Sequence, residues 1–129
     1  MKNRRSIKDP LVYSHILFVL NAYLYIQKDY FLLASCLICC TIPSFFYHLS
    51  GEKNRLFKRI DRNMCIISLS VIVAHLVMFL EWKHVILCIL WLCFSLIIYK
   101  ISFISYTLLH SLWHVAVYIG NLIVVVYLP

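Results

Sequence analysis

The sequence predicts an all-α fold: a polytopic transmembrane helical bundle of about five helices, one domain over residues 1–129, with its N-terminus cytoplasmic. Three observations predict it. Of 129 residues, 64% are apolar and 13% charged, and the mean hydropathy is +0.89, which excludes a water-soluble globule and a disordered tail. The apolar residues gather into five stretches, each near the roughly 20 residues that a helix needs to cross a ~30 Å hydrocarbon layer. These stretches are continuous rather than alternating in polarity, so a membrane β-barrel does not fit them.

Taken in order, the first stretch covers residues 10–27 and follows a basic start, as a signal peptide does. It is long, carries Asn21 and lacks a small-x-small cleavage pattern after it, which predicts a retained helix. The second, 30–50, is set off by Gln27-Lys28-Asp29 and contains Pro43, whose ring frees a carbonyl in the preceding turn and predicts a kink. The polar run from Gly51 to Arg59 precedes the third, 60–80. Glu81-Trp82-Lys83 separates it from the fourth, 84–100, with Trp82 suited to a membrane interface. Lys100 then leads into the fifth, 102–128. No internal repeat and no low-complexity segment interrupts this plan.

The net charge of +7 reads as membrane orientation, not as a nucleic-acid footprint, because the 12 Lys and Arg sit in short segments between apolar runs. Five spans place Lys2, Arg4, Arg5, Lys8, Lys53, Arg55, Lys58, Arg59, Arg62 and Lys100 on one side and only Lys28 and Lys83 on the other. Cytoplasmic loops carry the excess of Lys and Arg, so this bias predicts a cytoplasmic N-terminus and an outside C-terminus. The six Cys all fall in apolar runs, where Cys behaves as a small hydrophobe, and Cys36-x-x-Cys39 reads as core packing rather than a redox or copper motif.

An ionisable side chain at mid-membrane costs roughly 2.5–3.5 kcal/mol on insertion scales, so each one needs a partner or a purpose. Ser44 and His48 are four residues apart near the end of the second span, on one helical face. Asp61 opens the third span after a short return loop, at about the depth of His48. His110 and His114 form another i, i+4 pair in the fifth span, which also starts from the cytoplasmic side. His48, His110 and His114 offer three imidazoles, the ligand number of a catalytic zinc site with its fourth position open. Such a zinc ion acidifies water and polarises a carbonyl; Asp61 is placed to take the proton, and Ser44 to hydrogen-bond water or a developing oxyanion. A site within a bundle facing lipid and reached from the cytoplasm suits an amphiphile, hence cleavage of a lipid amide or ester.

These residues resemble the CREST-type superfamily that unites alkaline ceramidases, progestin/adiponectin receptors, hemolysin III proteins and GPI-remodelling hydrolases. The family's S-x-x-x-H is similar to Ser44 through His48, its lone Asp after a basic loop to Asp61, and its H-x-x-x-H to His110 through His114. The resemblance implies zinc on His48, His110 and His114, a water partner in Asp61 and a supporting Ser44. It covers about 25 residues around these motifs. Family members typically have seven spans and this chain five, a loss of one helical pair that preserves the sidedness of the site. Five helices enclose less volume, which leaves a homo-oligomer or partner helices to complete the wall.

Three other histidines, His15, His75 and His84, read as structural hydrogen-bonders outside the site, with His75 placed to line its far end. Asn21 and Asn121 read as interhelical hydrogen-bond formers, and Asn121 shares the face of His110. The function expected from the sequence is therefore a zinc-dependent membrane lipid hydrolase. Its alternative is a non-catalytic lipid sensor or a hemolysin III-like protein that keeps zinc as a structural tie.

Overall fold

The computed structural model describes residues 6–102 and 105–129. Lys2, Arg4 and Arg5 of the charge count, and positions 103–104 of the fifth expected span, lie outside the described residues. The described chain is helical throughout: α1 (Pro10–Tyr13), α2 (Ile16–Gln27), α3 (Phe31–Leu49), α4 (Arg55–Phe79), α5 (Trp82–Ile101) and α6 (Tyr106–Tyr127). Four of these, α3 to α6, are long and apolar enough to cross a membrane. The protein is an all-α, multi-pass transmembrane bundle.

The first expected span differs from one continuous helix. Asp9 caps α1 by accepting from the Leu11 amide at 3.0 Å, and Pro10 fills the first turn, where no donor is lost. The chain then tightens at Ser14 and His15, where His15 N–H reaches back three residues to the Val12 carbonyl at 3.4 Å and Leu17 N–H to the Ser14 carbonyl at 3.1 Å. Both residues keep right-handed helical dihedrals, so the chain continues on its course through a 3₁₀-like step into α2. At ~1.5 Å per residue, 10–27 spans about 27 Å, close to the hydrocarbon thickness.

Cross-links along α1–α2 and α6 show that the two run parallel. Ser14 meets His114, Asn21 meets Tyr118, Tyr25 meets Asn121, and Lys28 meets Leu128. Parallel first and last segments are what three intervening spans require. The α2 helix lies between α3 and α6; α4 packs on the far side of α3, α5 on the far side of α6, and a light α4–α5 contact closes the ring.

The α3 helix continues through Pro43 as one element and ends in a Schellman turn. Glu52 N–H returns to the Tyr47 carbonyl and Gly51 N–H to the His48 carbonyl, both at 3.0 Å. Gly51 has φ 67°, where glycine pays no Cβ penalty, but Glu52 is held at φ 65° as well, an uncommon place for a side chain that faces the site. The expected loop before the third span is shorter than the polar run suggested. Asn54 caps α4 by accepting from the Leu56 and Phe57 amides at 3.0 and 3.2 Å, so Arg55, Lys58 and Arg59 are already helical.

The apolar core sits at one end of the ring, built from Tyr25, Leu33, Leu37, Leu76, Cys88 and Val124 with their neighbours. Lys28 Nζ donates to the Leu128 carbonyl at 2.6 Å and Tyr25 hydroxyl to Asn121 Oδ1 at 3.1 Å, tying the first and last segments there. The outer helices bury little: 11% of the apolar window of α4 and 17% of that of α5, against 39% for α3 and for α6. Their remaining apolar side chains face outward, as a lipid solvent permits.

Candidate metal centre

The end of the ring opposite the core is polar and buried. His15, His48, His110 and His114 are 2%, 2%, 6% and 1% exposed. The His114 ring lies 4.7 Å from His15, 5.8 Å from His48 and 5.1 Å from His110, and His48 stands 5.4 Å from His15 and 5.1 Å from His110, centroid to centroid. Four imidazoles from the first span, α3 and α6 thus share one level of the bundle. One nitrogen from each of His15, His48 and His114 lies within 4.8 Å of the others.

The hydrogen-bond partners assign the ring protons. His15 Nδ1 is 2.9 Å from the Val12 carbonyl, which only accepts, so Nδ1 carries the hydrogen and Nε2 the lone pair. The Ser14 hydroxyl lies 3.2 Å from the Leu11 carbonyl and 2.7 Å from His114 Nδ1; with its proton on the Leu11 carbonyl, Ser14 Oγ accepts from His114 Nδ1–H. His48 Nδ1 donates to Glu52 Oε1 at 3.3 Å. In all three rings an oxygen stands at Nδ1, and in His15 and His48 that oxygen accepts from Nδ1–H and leaves the lone pair on Nε2. This is how outer residues orient imidazoles toward a metal.

Ser44 and Asp61 adjoin this cluster. The Ser44 hydroxyl lies 3.0 Å from His15 Nε2. Asp61, in the second turn of α4, accepts from the Cys65 thiol at 3.7 Å, and Cys65 Sγ lies 3.3 Å from Cys40 Sγ across the α3–α4 contact. Cys40, Asp61 and Cys65 form a second close grouping of ligand atoms, half-buried beside the first.

A cavity of about 220 Å³ opens from the cluster into the centre of the ring, with Phe18, Ser44, Cys65, Leu92, His114 and Asn121 among its walls. A second cavity of about 110 Å³ continues toward the core end and shares Leu69, Ile72, Leu92, Val117 and Asn121 with it. Both are almost wholly apolar. Trp113 lines the first, and its Nε1–H is buried without a hydrogen-bond partner among the described residues.

The five residues singled out from the sequence, Ser44, His48, Asp61, His110 and His114, all stand in this neighbourhood. Two were missed. From sequence alone His15 is set apart with His75 and His84, yet it enters the cluster, whereas His75 packs against Tyr30 and Phe79 and His84 stacks on Tyr127 at 3.9 Å. Ser14 carries no sequence signal beyond adjoining His15. The signal for His15 was its depth, since a residue early in the first span lies level with one late in the second.

Three imidazoles with one nitrogen from each within 4.8 Å of the others, and a carboxylate nearby, are residues that could hold a metal ion. Comparison with protein-family models, with curated proteins and with solved structures finds no match to this chain.

Proposed function

We propose that the protein is an integral-membrane hydrolase that holds zinc on the histidine cluster around His48 and His114 and cleaves an amide or ester bond of a membrane lipid from the cytoplasmic side. The observation that carries this reading is the convergence of three buried imidazoles, one nitrogen from each within 4.8 Å of the others and an oxygen at each Nδ1, beside an apolar cavity. The family resemblance of Ser44, His48, Asp61, His110 and His114 points the same way.

When bound, the metal supplies a Lewis acid and lowers the pKa of water. The chain supplies the rest. Asp61 receives a proton from water, and the Ser44 hydroxyl orients the carboxylate for it. The cavity accommodates an apolar chain and excludes water from the reacting bond, and Trp113 Nε1–H offers a hydrogen bond to its carbonyl oxygen. The seam between α4 and α5, the lightest in the ring, is the side from which a lipid enters.

Elemental analysis of detergent-purified protein beside His48→Ala/His114→Ala tests the centre, with about one zinc per chain expected only in the wild type. Fluorescent ceramides and phospholipids then test hydrolysis, and Asp61→Asn keeps its zinc while losing roughly 10²–10⁴-fold in rate. A folded wild type without metal overturns the reading. A second reading, a lipid sensor with structural zinc, is favoured by the near-complete burial of the rings, since structural sites are closed. It requires Asp61→Asn to leave function intact and His114→Ala to unfold the bundle.

A further inference from the structure

We infer that the third nitrogen of this centre comes from His15, so that the set is His15, His48 and His114, with His110 beside the metal rather than on it. The inference rests on the metal centre proposed above and concerns which side chains build it.

Proximity is the first argument. The nitrogens of His15, His48 and His114 approach one another within 4.8 Å, and the three rings come from three separate elements, the first span, α3 and α6. Such a set converges on a point from three directions, and His110, one turn before His114 on α6, is not part of that 4.8 Å grouping. His110 packs among aromatic rings, 4.9 Å from Tyr106, 5.1 Å from Trp113 and 5.7 Å from Tyr99.

Orientation is the second. The 3₁₀-like step at Ser14 and His15 does two things at once: it brings the Val12 carbonyl to His15 Nδ1, and it places Ser14 Oγ on His114 Nδ1. Adjacent residues of one turn therefore fix one ring as a ligand and orient a second.

Zinc affinity by competition with a chromophoric chelator, and the visible spectrum of the cobalt-loaded protein, decide the assignment in detergent-purified wild type, His15→Gln, His15→Ala, His110→Ala and the control His75→Ala. Both His15 variants lose stoichiometric zinc, while His110→Ala and His75→Ala retain it, and the cobalt spectrum of His110→Ala keeps its wild-type bands. Where both His15 variants fail to fold, by circular dichroism and gel filtration, His110→Ala decides alone: retention with unchanged bands supports the set. Zinc lost from His110→Ala and kept by His15→Gln overturns the assignment and leaves a centre on His48, His110 and His114. A wild type that binds neither metal overturns the centre itself.

Discussion

Ser14→Ala removes the acceptor that holds the ring of His114. Ser14 Oγ stands 2.7 Å from His114 Nδ1, in a site where the imidazole is 1% exposed. Two outcomes are open to the ring, and both weaken a metal. Either Nδ1–H stays and goes unsatisfied, at about 1–3 kcal/mol, or the proton moves to Nε2 and takes the lone pair from the ligand position. Loss of such outer partners costs typically ~10–100-fold in metal affinity, equivalent to about 1.4–2.8 kcal/mol. Ser14→Thr keeps the hydroxyl and stays close to wild type. The assay is a zinc competition titration of the three proteins in detergent, with helicity checked by circular dichroism. Wild-type affinity in a well-folded Ser14→Ala would falsify the tautomer argument for His114.

Two further predictions probe the packing around the site. Gly120→Ala places a Cβ 2.7 Å from Trp91 Cδ1, and Trp91 cannot easily withdraw because its Nε1–H donates to the Ala116 carbonyl at 2.6 Å; overpacking of about 1–3 kcal/mol lowers the melting temperature in detergent, whereas an unchanged melting curve counts against this α5–α6 contact. Mild copper-catalysed oxidation by dioxygen removes two electrons and two protons from the Cys40 and Cys65 thiols, 3.3 Å apart, and links α3 to α4; mass spectrometry of the digest finds that peptide pair joined in the wild type, and its absence refutes the α3–α4 register.

The fold was legible because membrane solvent leaves little choice. With no water to satisfy the backbone, an apolar stretch of about 20 residues becomes a helix, and the expected 30–50 and 84–100 return as Phe31–Leu49 and Trp82–Ile101 within two residues. The boundaries failed where polarity and helicity part company. Arg55, Lys58 and Arg59 read as loop because they are charged, but the Asn54 cap makes the helix start at Arg55, beyond the apolar stretch. The tight turn at Ser14 and His15 left no mark either, since neither residue breaks a helix and the distortion is set by contacts made with α3 and α6.

The same turn explains why the site was only partly legible. Spacing reveals partners on one helix, and it found Ser44 with His48 and His110 with His114. It is blind to a residue whose role depends on depth and on the neighbouring helix. His15 has no partner four residues away on its own helix; its neighbours are Ser44 and His114, 29 and 99 positions distant. Parallel alignment of the first and last segments makes that meeting compulsory. Once Lys28 lies at Leu128 and Tyr25 at Asn121, the chain runs back one turn after another until Ser14 and His15 reach the level of His114. The apolar core at the Lys28 end thus does more than stabilise the bundle: by locking the offset between the two segments, it sets the height at which the first span delivers its histidine.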